Sequence, residues 1–513
     1  MTHCVKLAAK MVSASFGRGL MERIDDDMFD VVIIGCGIVG AAAAYELSKY
    51  ELSVAVLERE NDVGASGATK ANSAVIHAGY DPEPGTLMAR LNVEGARHAK
   101  QLFHDLDISH VQCGSLVLAF SADDEAALEE LLRQGRRNGL DDMRILTREE
   151  TLAAEPNVSK SVTAALLAPS AMIVNPWEYT LALAETAIRN GAQVRLDSGV
   201  TAITKIDGGY AICTARGEVT ARCVVNAAGL YADTIHNMVF EPEFKILPDR
   251  GEYFLLDKSE GERVSHVVFQ CPNEHGKGVL VAPTVHGNLI VGPSNEPPGD
   301  IENVSTTQAK MAYIKDVARL SVPSIDFGAN IRSFAGSRAK SDHGDFIIAH
   351  AKGAKDFINL AGIKSPGLSA APAIAVMAAE LVAEALPPFP RKQGFTATRT
   401  RVKFAHLDAS QRAELVARDP AYGHIICRCE LVTEGEVRDA LNAPIPPVSL
   451  DGVKRRTGTG MGRCQGGFCG PRLFEILAEF HGCDLTEVLA DGEGAYVLSS
   501  QTKIGSAKGG QAL

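Results

Sequence analysis

The chain has 513 residues, of which 46% are apolar and 22% charged, and its formal net charge is −12. This composition is typical of a globular protein of about three domains, and the acidic balance argues against nucleic acid as a partner. No uncharged apolar run approaches the length of about 18 residues that spans a bilayer; eleven cysteines without a secretory signal pattern favour a cytoplasmic protein over a disulfide scaffold.

Residues 1–28 contain four basic residues and no acidic residue before Glu22. Targeting peptides have a similar composition. We interpret the segment as a flexible leader, because Met28 is a natural start one residue before the first strand.

A strand–turn–helix–strand unit begins at Phe29, with FDVVIIGCGIVGAAAAYELSKY followed by SVAVLERE. Its turn has the pattern Gly35-x-Gly37-x-x-Gly40, which permits a tight turn, close approach of a pyrophosphate and close packing of helix on strand. Glu58 ends the next strand, where a carboxylate accepts hydrogen bonds from ribose hydroxyls. The unit predicts a dinucleotide site.

Two further segments favour FAD over NAD as the dinucleotide. VVNAAG at 224–229 is a buried strand that ends in small residues, and AGIKSPGLSAAPAIA at 361–375 is a Gly/Pro loop that leads into an apolar helix. The N-terminus of that helix favours an anionic part of a cofactor, such as the N1–C2 region of a flavin. An NAD dehydrogenase does not need these segments.

The clustered cysteines form the pattern Cys427-x-Cys429, then 34 residues, then Cys464-x4-Cys469. Four thiolates in two close pairs are typical of iron–sulfur or zinc ligation. The C-x-C pair is unfavourable for zinc, and the glycines of GMGRCQGGFCG allow backbone N–H groups to approach sulfur, so a [2Fe–2S] cluster is favoured over zinc or unliganded cysteines. Four nearby cations are expected to offset the cluster's negative charge: Lys454, Arg455, Arg456 and Arg463.

We therefore expect an α/β fold with a Rossmann-like FAD-binding domain, an inserted, mainly antiparallel β substrate domain and a small C-terminal helical [2Fe–2S] domain. The expected boundaries are 29–85, 150–240 and 335–388 for the FAD-binding domain, 86–149 and 241–334 for the substrate domain, 389–420 for a linker, 421–500 for the cluster domain and 501–513 for a tail.

Several stretches resemble known families, and together they cover nearly everything after residue 28. Residues 29–388, through segments such as ANSAVIHAGYDPEPGTLMARLNVEGAR and DRGEYFLLD, resemble the D-amino-acid-oxidase/glycerol-3-phosphate-dehydrogenase superfamily of FAD oxidoreductases, in the branch with L-2-hydroxyglutarate oxidases and dehydrogenases. IICRCELVTEGEV and KRRTGTGMGRCQGGFC are similar to the bacterioferritin-associated-ferredoxin-like [2Fe–2S] domain, which closes the large subunit of anaerobic glycerol-3-phosphate dehydrogenase.

The resemblances imply oxidation of a small anionic secondary alcohol by hydride transfer to flavin, with electrons leaving through the cluster. They differ over the substrate, because GIKSPG at 362–367 and GSRA at 336–339 depart from the GGK-x-T-x-Y-R and G-x-R-P patterns of the glycerol-3-phosphate enzymes. We place glycerol 3-phosphate first, and L-2-hydroxyglutarate or an amino- or imino-acid dehydrogenase subunit second. A non-catalytic electron-transfer subunit is a further alternative. The resemblance implies a protein acceptor or partner subunits, with peripheral membrane association through a partner.

Two histidines are candidates for the base that removes the hydroxyl proton: His77 in VIHAGY and His286 in PTVHGN, with a structural hydrogen bond as the alternative for each. The candidate cations for the substrate anion are Arg250, Arg338 and Lys364. Beyond the three glycines and Glu58, the expected cofactor contacts are Ile38, Arg59, Thr69, Asn72, Ser73, Gly79, Val200, Ala228, Gly229, Gly362, Ser365, Gly367 and Leu368.

Overall fold

The computed structural model describes residues 28–272, 278–296 and 300–500 and divides into two compact units, Met1–Thr400 and Arg401–Leu513. All but the last residue of the predicted leader, and the predicted tail 501–513, lie outside the described residues.

The strands of the first unit are β1 (Phe29–Ile34), β2 (Val54–Leu57), β3 (Val75–Ile76), β4 (His110–Val111), β5 (Ser115–Ala119), β6 (Arg144–Thr147), β7 (Ala164–Ala168), β8 (Met172–Val174), β9 (Gln193–Arg195), β10 (Val200–Ile206), β11 (Gly209–Thr214), β12 (Gly217–Asn226), β13 (Asp249–Leu256), β14 (Val267–Gln270), β15 (Leu280–Pro283), β16 (Leu289–Gly292), β17 (Asn330–Arg338), β18 (Ile347–Ala351) and β19 (Ala354–Ala361). Its α-helices are α1 (Ile38–Leu47), α2 (Gly67–Lys70), α3 (Leu87–Asp105), α4 (Ala122–Arg137), α5 (Arg148–Ala154), α6 (Pro176–Arg189), α7 (Ala232–His236), α8 (Gln308–Ser321) and α9 (Gly367–Ala385).

The first sheet has the order β10-β11-β12-β1-β2-β9, with β19 beside β12 and β18 beside β19. Strands β12, β1, β2 and β9 are parallel, and β19 is parallel to β12. The central strand β1 is a continuous apolar run because both of its faces are covered, and Val31, Val32 and Ile33 are fully buried. The predicted Rossmann-like architecture is confirmed.

Helix α9 packs against both α1 and α3, and small residues allow the close approach. A Cβ on Gly95 of α3 would lie 2.3 Å from the carbonyl oxygen of Ser369 in α9. Among the described residues, α9 is the one helix whose length and apolar composition would suffice to cross a membrane, but 56% of its apolar window is buried inside the unit. This burial is that of a core helix.

The second sheet has the order β17-β13-β16-β15-β14-β5-β7-β6 and is antiparallel except for the pair β14–β5. It is the expected substrate-domain sheet, but its boundaries differ from those expected. Strand β7 joins it by pairing with β5 and β6, although we assigned 150–240 to the FAD-binding domain. Helix α3, assigned to the substrate domain, packs instead on α9.

A small third sheet has the order β3-β8-β4. Its strand β3 directly follows the polar segment 66–74, and Val75 of β3 pairs with Ile173 of β8. A Cβ on Gly336 of β17 would lie 2.5 Å from the carbonyl oxygen of Ala71, so the second sheet also reaches this loop. The segment 71–79 therefore lies beside the second sheet at Ala71 and beside the start of α9 at His77.

In the second unit, a small apolar core is surrounded by β20 (Ile425–Cys427), β21 (Val432–Thr433), α11 (Glu434–Leu441), α12 (Leu450–Thr457) and α13 (Gly470–His481). Helix α10 (Ala409–Arg418) packs through Leu415 against Phe404 and Tyr422. The predicted linker 389–420 differs from the structure. Thr396 is hydrogen-bonded to Asn190 within the first unit, whereas 409–418 is helix α10 of the second.

Candidate functional site

The glycine-rich turn between β1 and α1 lies against the turn that follows β12. Gly35 has φ +97°, and a Cβ there would lie 2.7 Å from the carbonyl oxygen of Ala227. A Cβ on Gly40 would lie 1.9 Å from the carbonyl oxygen of Gly35. The structure thus brings the 35–40 turn and the 227–229 turn together, as the two predicted FAD segments require.

Glu58 is 8% exposed at the end of β2, and its carboxylate accepts the N–H groups of Cys36 at 2.6 Å and Glu60 at 3.0 Å. Burial raises the pKa of this carboxyl above its ordinary value, against the lowering effect of the two N–H donors. A carboxylate has about four acceptor positions, so it can still accept ribose hydroxyls. Helix α1 begins at Ile38 without a side-chain cap from Gly37, and the Ile38 N–H donates instead to Thr69 Oγ1 at 3.0 Å.

We call the 35–40 turn, the 227–229 turn and Glu58 the cradle. On one side of it, Arg59 lies beside the segments that contain the predicted contacts Val200 and Gly229. The Arg59 guanidinium lies 4.6 Å from the ring centre of Tyr231, two residues after Gly229, and a Cβ on Gly199 would lie 3.1 Å from Arg59 Cγ. Tyr231 was not among the predicted site residues, although an aromatic residue so close to VVNAAG is a readable signal.

His77 follows β3 and lies against the loop that leads into α9. Its backbone N–H donates to Ser369 Oγ at 2.8 Å, and its Nε2 lies 3.3 Å from Ser365 Oγ. Its ring is half-buried, 5.9 Å from the ring of Phe269. The 362–368 loop, which contains Gly362, Gly367 and Leu368, is thereby placed beside His77; Ser369 was not anticipated.

Two predicted flavin contacts use their groups locally. Asn72 donates to the carbonyl oxygens of Ala68 and Thr69 and accepts the N–H of Ala74, whose φ is +59°. The Asn72 side chain therefore holds the strained loop, and its contact with the flavin stays a prediction. Ser73 is half-buried in the same loop.

Gly79 packs closely against helix α3 and also lines a small cavity with His77 and Pro366, so its contact with the flavin stays a prediction. A Cβ there would lie 2.5 Å from Val93 Cγ2 and 2.8 Å from Asn92 Nδ2, both on α3. The glycine is needed for close approach to the helix.

His286 is bound to Asn175, which also caps helix α6. Asn175 Oδ1 accepts the N–H groups of Trp177 and Glu178, so its Nδ2 faces His286 Nε2 at 3.0 Å as a donor. His286 Nε2 is therefore an acceptor in a structural hydrogen bond. The Asn-Pro pair at the start of α6 is a helix-cap signal that the sequence shows. The sequence does not show that the capping asparagine also binds His286.

The two arginines predicted to bind the substrate anion are paired with carboxylates. Arg250 bonds Glu296, with Nε 3.1 Å from Oε2, and its Nη2 lies 3.6 Å from fully buried Glu252. Arg338 Nη1 lies 3.0 Å from Asp249 Oδ2, its opposite residue in the β13–β17 ladder. An incoming anion would compete with these carboxylates. Lys364 is half-buried in the loop beside His77.

In the second unit the four cysteines pair across the two sequence motifs. Cys429 Sγ lies 3.7 Å from Cys464 Sγ at the surface, whereas Cys427 and Cys469 are buried and hydrogen-bonded to each other. Two thiolates on one tetrahedral metal with bonds of about 2.3 Å lie about 3.7 Å apart. Among the described residues, no three His, Cys, Asp or Glu side chains converge on a single ion. The donor set fits a two-metal cluster better than a single zinc.

Backbone N–H groups surround these sulfurs. The Cys469 thiol and the N–H groups of Gly460, Glu430 and Cys429 lower the pKa of Cys427 below its ordinary value. The Phe468 N–H is the main cause that lowers the pKa of Cys464. The pKa values of Cys429 and Cys469 are raised, the first chiefly by burial and the second chiefly by its hydrogen bond with Cys427. The feature that suits a [2Fe–2S] cluster is therefore the set of backbone N–H groups around the sulfurs.

Three of the four cations predicted to offset the cluster's charge form ion pairs or hydrogen bonds with other groups of the second unit. Arg456 is 6% exposed and donates to the carbonyl oxygens of Ile445 and Gly452. Arg455 bonds Asp491 at 3.0 Å, and Lys454 is paired with Asp451. Arg463 is exposed beside Cys464. The two aspartates reduce the net charge that Lys454 and Arg455 contribute, whereas carbonyl oxygens leave the charge of Arg456 in place. The expected offset of the cluster's charge stays a prediction.

Comparisons with known proteins agree with this geometry. Residues 30–381 match the family model described as FAD dependent oxidoreductase, and residues 425–479 match that of the BFD-like [2Fe-2S] binding domain. The glycine cradle with its buried carboxylate fits FAD, and the four cysteines fit the cluster.

The chain is 47% identical to a glycerol 3-phosphate dehydrogenase from Caloramator mitchellensis, over 93% of this chain and 99% of that protein. An L-2-hydroxyglutarate dehydrogenase from Escherichia coli O17:K52:H18 is 32% identical over 52% of this chain and 64% of its own length. The solved structure of dithionite-reduced L-alpha-glycerophosphate oxidase from Mycoplasma pneumoniae with FAD bound superposes with a TM-score of 0.70 at 32% identity, covering 73% of this chain and 99% of that chain.

Proposed function

Because the chain belongs to the FAD-dependent oxidoreductase family and carries a [2Fe–2S]-binding domain, we propose that it oxidises glycerol 3-phosphate to dihydroxyacetone phosphate. The observation that carries the proposal is the 47% identity to a glycerol 3-phosphate dehydrogenase over 93% of this chain. That similarity includes residues of both units, because neither the first 400 residues nor the rest amounts to so large a share. The similarity to an L-2-hydroxyglutarate dehydrogenase covers only 52% of the chain.

Bound FAD supplies the hydride acceptor, and the cluster supplies an outlet for single electrons. The residues of the chain must bind the substrate, remove its hydroxyl proton and exclude water. His77 is the favoured base, because its Nε2 faces a serine hydroxyl that a substrate hydroxyl can replace. His286 Nε2 already accepts the Asn175 amide, so this nitrogen would have to break a bond before it could take a proton.

The substrate phosphate is proposed to bind beside His77, with Lys364 as a point charge and Arg250 and Arg338 as forked donors. Both arginines lie near carboxylates in the structure. A phosphate carries more negative charge than one carboxylate and presents several acceptor oxygens, so it can displace Glu296 from Arg250.

Electrons pass to an acceptor, and we propose that this acceptor is a protein or partner subunit. The exposed sulfurs of Cys429 and Cys464 support this, because they place one edge of the cluster site at the surface of its unit. The proposed location is the cytoplasm, with contact to a membrane through the partner.

The test is anaerobic addition of glycerol 3-phosphate to the purified holoenzyme, with flavin absorbance as the measurement. We expect rapid bleaching, and no bleaching with glycerol, which lacks the anionic group. If L-2-hydroxyglutarate or an amino acid bleaches the flavin and glycerol 3-phosphate does not, the substrate proposal is wrong. If nothing in that panel bleaches it, the catalytic proposal fails and a non-catalytic electron-transfer role is favoured.

A further inference from the structure

Three polar side chains are buried in a row beneath the 227–229 turn. Asn226 ends β12, Asn359 lies in β19, and His236 ends α7; their exposed fractions are 0%, 2% and 0%. Buried polar groups are costly unless each donor and acceptor is paired. All three are paired, partly with one another and partly with neighbouring backbone groups.

Each group donates a hydrogen bond to the next in one direction, from the turn to the histidine. Asn359 Nδ2 donates to His236 Nδ1 at 3.1 Å, and Asn226 Nδ2 donates to Asn359 Oδ1 at 2.9 Å. Asn226 Nδ2 also donates to the carbonyl oxygen of Ala232 at 2.8 Å. Asn226 Oδ1 then accepts the N–H of Ala228 at 3.3 Å. The two asparagines are opposite residues of the parallel β12–β19 ladder, so the strands hold their amides in register.

The residues around His236 fix its tautomer, and with it the direction of these hydrogen bonds. Its ring packs against the rings of Phe240, Phe244 and Phe357. Its Nε2 lies 3.2 Å from the carbonyl oxygen of Glu241, which can only accept, so Nε2 carries the hydrogen and Nδ1 accepts from Asn359. Because Nδ1 of His236 accepts, the Asn359 amide must turn its NH₂ group toward the histidine and its oxygen toward Asn226. The Asn226 amide must then turn its NH₂ group toward that oxygen.

The end of this series is the backbone that meets the glycine-rich turn. Ala228 lies between Ala227, whose carbonyl oxygen would contact a Cβ of Gly35, and Gly229, whose φ is +55°. The amide of Asn226 therefore orients the peptide that forms one wall of the FAD cradle.

We propose that Asn359 and His236 are positioning residues for FAD, acting through Asn226 on the 227–229 turn. Neither residue needs to touch the cofactor. The inference does not depend on which substrate the enzyme oxidises, because FAD binding precedes and is separate from that chemistry.

The first test compares Asn359→Leu with a matched control, Asn288→Leu. Asn288 is 3% exposed in the turn just before β16, where its Nδ2 donates to the carbonyl oxygen of Leu256 at 3.0 Å. For each purified full-length variant, FAD is removed and its dissociation constant is measured by flavin fluorescence on titration, with thermal unfolding of the FAD-free chain measured in parallel. We expect Asn359→Leu to weaken FAD binding by about 3- to 10-fold, the effect of losing one oriented hydrogen bond. Asn288→Leu should lower only the melting temperature.

His236→Phe is the second variant, because it keeps an aromatic ring among its three phenylalanine neighbours. It removes the acceptor for Asn359 together with the Nε2 donor to the carbonyl oxygen of Glu241. We expect weaker FAD binding and, because buried polar groups lose a partner, a lower melting temperature like that of Asn288→Leu, which keeps its FAD affinity. The proposal is overturned if His236→Phe and Asn359→Leu both bind FAD as tightly as the wild type, or if Asn288→Leu weakens FAD binding as much as they do.

Discussion

A single methyl group at Gly462 should prevent assembly of the iron–sulfur cluster. A Cβ at this position would lie 2.2 Å from Cys429 Cβ and 3.1 Å from its sulfur. Real Cβ contacts do not fall below 3.0 Å, so Gly462→Ala forces a displacement of about 0.8 Å between the two loops. The displaced group is a cysteine at the ligand site, not the end of a flexible side chain.

The size of this displacement can be compared with what a cluster tolerates. Cys429 and Cys464 sulfurs are 3.7 Å apart, the separation expected for two thiolates on one tetrahedral metal. Metal–ligand distances tolerate changes of only about 0.2 Å. A shift of about 0.8 Å therefore exceeds the tolerance about fourfold. We expect cluster content in Gly462→Ala to fall by at least about tenfold.

The assay is iron and acid-labile sulfide per chain, with FAD per chain as an internal measure of a folded first unit. Gly470→Ala is the matched control: it follows Cys469 directly, but a Cβ there meets nothing within 4 Å, and alanine is favourable at the start of α13. Full iron content in Gly462→Ala would refute the argument from close approach. Equal iron loss in Gly470→Ala would show that the loop tolerates no substitution, whatever its contacts.

Three further predictions concern the first unit. FAD affinity should fall as the pH is lowered through the raised pKa of Glu58, because ribose hydroxyls donate to the ionised carboxylate. FAD titrations at several pH values measure this fall. Glu58→Gln should bind FAD more weakly and without this pH dependence. His77→Gln should slow anaerobic flavin reduction by about 10²- to 10⁴-fold at unchanged FAD content, whereas an equal loss in His286→Gln would contradict the choice of base. Glu296→Gln should lower KM for glycerol 3-phosphate by about tenfold with kcat unchanged, because it releases Arg250; an unchanged KM would assign Arg250 a purely structural role.

The parts of the protein that the sequence predicted correctly are those specified by neighbouring residues. The Gly35–Gly40 turn, the all-apolar β1 and the acidic end of β2 each depend on a few adjacent positions, and the structure contains all of them as expected. The carboxylates that pair with the arginines could not be predicted in this way. Glu296 lies 46 residues from Arg250, and Asp249 meets Arg338 only through the β13–β17 ladder.

The domain boundaries failed for the same reason. Strand β7 has the composition of any buried strand, and only its pairing with β5 and β6 assigns it to the second sheet. Likewise the sequence pattern groups cysteines by spacing, whereas the structure pairs Cys429 with Cys464 across 34 intervening residues. Local patterns identify the ligands, and tertiary contacts decide which of them share a metal.

Hydrogen bonds also distinguish the two histidines. His286 Nε2 faces the Asn175 amide, and the N-cap of α6 fixes that amide because its oxygen accepts the N–H groups of Trp177 and Glu178. His77 instead adjoins the N-terminus of α9, where its N–H donates to Ser369 Oγ and its Nε2 lies 3.3 Å from Ser365 Oγ. A serine hydroxyl can rotate away from the imidazole, whereas the capping amide cannot move without uncapping its helix. We therefore expect His77, and not His286, to be the base.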